Sequence, residues 1–102
     1  MYCIILTTTD NKETAEKLAT GLVDQKLAAC VQIDEVLSFF RWEGKASAEK
    51  EYRIMIKTRA ENYSKIEQFI QSQHNYTLPQ IIKLDITGGM AKYFKWMDEA
   101  MS

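Results

Sequence analysis

The residues of this 102-residue chain best suited to metal or nucleophilic chemistry are one histidine and two cysteines. His74 opens the segment HNYTLPQI (74–81), which also carries the only proline, Pro79. Cys3 and Cys30 sit in apolar runs, CIILTTT and LAACVQI, and form no closely spaced CxxC pair. Thiolate and imidazole together suit copper in either oxidation state, and zinc. Cys30 and His74 are therefore the candidate metal ligands. Two ligands alone make a weak site, because a structural zinc takes four. The plainer alternatives are a small thiol packed in a strand and a loop histidine that holds its neighbours by hydrogen bonds. A second constellation is charged. Glu51 and Glu43 lie near a hairpin, Lys57 ends a strand, and Tyr76 follows His74 by two. Glu51, Lys57 and Tyr76 could line a cleft with both charge signs, against the simpler reading of solvated or ion-paired strand residues.

Enzymatic chemistry finds little support. No GxSxG elbow, P-loop or dinucleotide glycine pattern occurs. Cys30 lies in mid-strand, away from a helix N-terminus that would lower its pKa. No catalytic residue and no obligatory cofactor is assigned, and the chain is expected not to be an enzyme. Thirteen basic and 14 acidic residues are interspersed, for a net charge of −1. Nucleic-acid binding needs a concentrated basic face, so charge argues against it. No apolar stretch approaches bilayer-spanning length, and no basic region precedes the first apolar run. With two cysteines expected as free thiols, the expected compartment is the cytoplasm.

Positioning these residues requires a single domain over 1–102. CIILTTT (3–9) reads as a strand. Asp10, with Glu13 three residues later, reads as the capping box of a helix whose apolar face holds Ala15, Leu18, Ala19, Leu22 and Val23. Residues 27–42 read as a long strand bulged near Asp34 and Glu35, and 50–58 as its hairpin partner across the EGKAS turn. Thr58 with Glu61 offers a second capping-box spacing for a helix over 60–72. PQIIKLDIT (79–87) is the last main strand, with Lys83 and Asp85 on one face, and Met90, Tyr93, Phe94 and Met97 mark a terminal helix. The order β-α-β-β-α-β plus a tail helix is the ferredoxin-like split βαβ order, an α+β sandwich with a long β-hairpin. Right-handed crossovers put the two inner helices on one face and leave the other bare. Apolar residues on both sides of the strands, with Trp42 and Trp96 as packing residues, imply a partner for that face.

In this order and spacing, the segments KLAACVQI (26–33), FRWEGK (40–45), EYRIMIKT (51–58), HNYTLPQII (74–82) and YFKW (93–96) resemble the CutA divalent-ion tolerance family over nearly the whole chain. The resemblance implies a homotrimer in which three sheets pack around an axis and strands of neighbouring subunits pair at their edges. It implies a role in tolerance of copper and other divalent cations, with Cys30 and His74 matching positions proposed as ligands. A mammalian relative is linked to anchoring of acetylcholinesterase. Two departures stand out. The family usually has His-Pro-Tyr and then Pro-Glu, where this chain has His74, Asn75, Tyr76 and then Pro79, Gln80. Some members carry a thiol at the end of the first strand, where this chain has LTTT (6–9). The expectation is therefore a homotrimer with weak copper or other divalent-metal binding. The alternative is a trimeric signalling or scaffold protein whose intersubunit clefts take a small metabolite or a protein partner of unknown identity.

Overall fold

A computed structural model describes residues 1–102. Its elements are β1 (Tyr2–Thr9), α1 (Lys12–Asp24), β2 (Cys30–Trp42), β3 (Lys45–Arg59), a short 3-10 turn (Ala60–Asn62), α2 (Tyr63–Gln73), β4 (Ile82–Ile86) and α3 (Ala91–Ala100). The strands form one sheet in the order β2-β3-β1-β4, antiparallel throughout. This is the expected ferredoxin-like α+β fold. Alternation puts Cys3, Ile5, Ile54 and Ile56 on one face, where they pack against Leu18 and Leu22 of α1 and Ile66 and Ile70 of α2. All eight side chains are fully buried.

β2 and β3 form the longest feature. Glu43 and Gly44 have φ of 50° and 79°, the left-handed pair of a two-residue hairpin turn whose twist matches the strands. From that turn the register runs unbroken from Trp42↔Lys45 to Cys30↔Lys57. The bulge expected at Asp34 and Glu35 is absent. Asp34 instead lies opposite Arg53 and accepts two hydrogen bonds from its guanidinium, at 3.1 and 2.7 Å. β1 pairs with β3 only as far as Thr9↔Tyr52, so the rest of the ribbon projects beyond the sheet. The molecule is accordingly 46 Å long but only 25 and 21 Å across.

Several element ends differ from expectation. Asn11, not Asp10, caps α1, its side chain accepting from the Thr14 N–H at 2.8 Å. Thr58 caps no helix. It is a buried β3 residue whose hydroxyl donates to the Leu27 carbonyl at 2.6 Å. β4 is shorter than PQIIKLDIT, because Pro79–Ile81 do not pair. Lys83 and Asp85 do share a face and form an ion pair of 3.3 Å. The bare sheet face is partly covered by the chain itself. Tyr2 stacks on Phe94 of α3 with ring centroids 4.4 Å apart, and its hydroxyl donates to Asp98 at 2.8 Å. Ile82 and Leu84, farther along that face, stay 45% and 47% exposed.

Candidate functional site

The segment after α2 is a structured connector. His74 ends the helix, its N–H donating to the Ile70 carbonyl at 2.8 Å. Nδ1 of its ring accepts the Tyr76 N–H at 2.9 Å, so Nδ1 is unprotonated. Nε2 must then carry the proton, which it donates to the Thr8 carbonyl at 2.8 Å. Both ring nitrogens are thereby engaged. Asn75 accepts from the Thr9 hydroxyl and donates to Asp10 Oδ1 at 2.8 Å. The Tyr76 hydroxyl donates to Glu51 Oε2 at 2.7 Å. Burial pushes the Tyr76 phenol well above its ordinary pKa, and the Glu51 hydrogen bond and charge add to the effect. Three consecutive side chains thus tie the end of β1 to the middle of β3.

Beyond this tie a cleft of about 520 Å³ opens between the connector and the projecting ribbon. Its walls carry three carboxylates, Asp10, Glu49 and Glu51, and three aromatic rings, Phe40, Trp42 and Tyr76. No Lys, Arg or His lines it. Glu51 is only 8% exposed. The hairpin register aligns its ribbon wall, because Phe40↔Ser47, Ser38↔Glu49 and Val36↔Glu51 are successive pairs of one face.

Cys30 and His74 are not brought together within the chain. Cys30 is half-buried and faces Lys57 across the ladder, whereas His74 reaches Thr8, which faces Arg53. Those positions are four residues apart on β3, about 13 Å, and lie on opposite sides of that strand. No group of three or more His, Cys, Asp or Glu side chains converges to hold a metal ion. Thr7, at the end of the first strand, is fully buried. Gln80 makes only a long 3.5 Å contact with the Thr8 hydroxyl. Of the three residues expected in a cleft, Glu51 and Tyr76 meet there, but Lys57 does not. Its ammonium lies over the Tyr93 ring, 5.7 Å from the centroid. Asp10, read as a helix cap, and Phe40 and Glu49 were not expected in the cleft. Counting back from the Glu43-Gly44 turn places Phe40 and Glu49 beside Glu51, but only tertiary structure brings Asp10 there.

The β-α-β-β-α-β sheet with a C-terminal helix on its second face defines a small α+β protein of the ferredoxin-like class. The chain belongs to the CutA1 divalent ion tolerance protein family, whose pattern it matches over residues 3–100. It is 38% identical over 101 residues to the divalent-cation tolerance protein CutA of Archaeoglobus fulgidus, spanning 99% of each chain. The solved structure of the Archaeoglobus fulgidus periplasmic divalent cation tolerance protein superposes with a TM-score of 0.95 at 37% identity, over 100% of both chains. CutA1 of Oryza sativa superposes at 0.92 with 34% identity, over 97% of this chain and 92% of its own.

Proposed function

We propose that the chain is a homotrimeric divalent-cation tolerance protein that binds copper or another divalent cation weakly at its subunit boundaries. The observation that carries this reading is the apolar surface that a single chain leaves open. Phe39 is 74% exposed, Leu37 61% and Trp96 46%, and Ile82 and Leu84 of the outer strand add to them. Monomeric proteins rarely leave so much exposed, whereas subunit interfaces bury aromatic residues of this kind. Membership of a divalent-cation tolerance family supplies the metal part of the reading. Cys30 is the accessible soft ligand, since Cys3 is fully buried and burial raises its thiol pKa. His74 joins a metal only by releasing the Thr8 carbonyl or the Tyr76 N–H, which keeps its contribution small. The proposed compartment is the cytoplasm, in keeping with two free thiols.

Light scattering at micromolar concentration tests the assembly, and a monomer would refute it. Calorimetric titration with Cu(I), Cu(II) and Zn(II) tests the metal part. The expected result is modest affinity that falls in Cys30→Ala, with no preference for magnesium, which wants oxygen ligands in octahedral array. Sub-nanomolar affinity that survives Cys30→Ala would move the metal site elsewhere.

A further inference from the structure

The acidic cleft holds an electrostatic imbalance that the fold does not resolve. Glu51 is more than nine-tenths buried, and buried carboxylates are ordinarily paired with a cation. Its one hydrogen-bond donor is the neutral Tyr76 hydroxyl. The basic residues flanking it in sequence are committed elsewhere, Lys50 to Glu35 at 3.0 Å and Arg53 to Asp34 at 2.7 Å. Asp10 and Glu49 stand on the same cleft walls, also without an ion-pair partner. The cleft therefore concentrates negative charge around a buried carboxylate that has no counter-ion in the chain.

The chemistry of the walls selects among cations. The carboxylates do not converge as a metal site. Phe40, Trp42 and Tyr76 add apolar and aromatic surface that a hydrated metal ion cannot use but an alkylammonium group can, through methylene contact and cation–π attraction. A volume of about 520 Å³ is in the range of small-molecule sites. We propose that the cleft binds a linear aliphatic diamine or polyamine. One ammonium group is held by Glu51, another by Glu49, and the methylene chain lies against Phe40 and Trp42. Neither candidate metal ligand lines the cleft, although His74 accepts the Tyr76 N–H beside it.

The test is a fluorescence titration of the full chain in a Trp96→Phe background, where Trp42 is the only tryptophan and reports on the cleft. Putrescine and spermidine are added at constant ionic strength, with butylamine and magnesium chloride in parallel. Saturable binding of the two polyamines is expected, with butylamine weaker and magnesium silent. Glu51→Gln is expected to weaken spermidine by about tenfold or more, as loss of one partner in a buried charge pair does. Glu49→Gln, at a position exposed in the chain, weakens it similarly and keeps the test valid if the buried substitution unfolds the protein. Cys30→Ala leaves it unchanged, so failure of the metal reading and failure of this one are told apart. The proposal is overturned by the absence of saturable binding at millimolar polyamine, by unchanged affinity in Glu49→Gln, or by equal competition from magnesium. It is equally overturned if polyamine binds only when the protein is dissociated, which would assign the cleft to a basic side chain of a neighbouring copy.

Discussion

At the scale of single residues, the connector after α2 works through fixed proton positions. His74 is an acceptor at Nδ1 and a donor at Nε2, and both partners are main-chain groups. His74→Ala leaves the Thr8 carbonyl and the Tyr76 N–H without these partners, an expected loss of about 1–3 kcal/mol in urea unfolding whether or not metal is present. A loss seen only with metal would make the imidazole a ligand first. Tyr76 carries the opposite lesson about charge. Its phenol stays protonated in the fold beyond the pH at which an unfolded tyrosine ionises, near 10. A raised folded-state pKa gives stability that is complete below the unfolded value and is lost as pH rises through the folded one. Tyr76→Phe is therefore expected to be less stable than the parent at pH 8, with the gap narrowing above pH 10. Thermal melts from pH 8 to 11 check this, and a constant gap would show that the hydroxyl contributes no linked proton.

At the scale of elements, two glycines hold positions that other residues fill badly. Gly44 has φ of 79° at the hairpin tip, and a Cβ there meets no atom within 4 Å, so the strain is purely conformational. Gly44→Val is expected to destabilise by about 1–2 kcal/mol, the cost of a left-handed side-chain residue. Gly21 is tight for the opposite reason, since a Cβ on it would lie 2.5 Å from Cζ of Phe69 where α1 meets α2. Gly21→Ala gains about 1 kcal/mol of helix propensity but forces the ring aside, and overpacking of this kind costs about 1–3 kcal/mol. A net loss is expected that shrinks in the Gly21→Ala/Phe69→Leu double mutant, measured by denaturant unfolding. Most elements could be read from the sequence, because the apolar run of 3–9, the period of two in 50–58 and the period of about 3.6 on the helix faces were clear. The element ends could not. Asp10 and Asn11 are both good caps, and Asp10 is drawn away by Asn75, 65 residues distant. The expected bulge was a misreading of burial. The pattern changes near Asp34 and Glu35 because β1 support ends at Tyr52, Glu35's ladder partner, and the register never slips. Lys57, expected in the cleft as the charged residue that ends its strand, is six residues of β3 away from Glu51, about 20 Å.

At the scale of the whole molecule, the compact half and the projecting ribbon rest on different physics. The compact half has a fully buried core between the sheet and two helices. The ribbon beyond Tyr52 has its ladder and turn, but Leu37 and Phe39 on its face away from the cleft are each more than 60% exposed. An isolated two-stranded ribbon is marginal in water, so in the proposed trimer the ribbon would draw its order from the neighbouring subunit. Substituting Phe39→Asp is accordingly expected to shift the light-scattering mass toward monomer while leaving the far-ultraviolet helix signal intact. Unchanged mass would show that this side chain lies outside the subunit contact. The same division predicts how the amide protons behave. Those of Ile54 and Ile56 sit over the core, and their exchange with deuterated water should be slow at any protein concentration. Those of residues 38–49 should exchange faster on dilution if the proposed trimer covers them, because their opening would then be limited by association and not by global unfolding. The unbroken register makes the ribbon one continuous ladder, yet its two ends would keep time by different clocks.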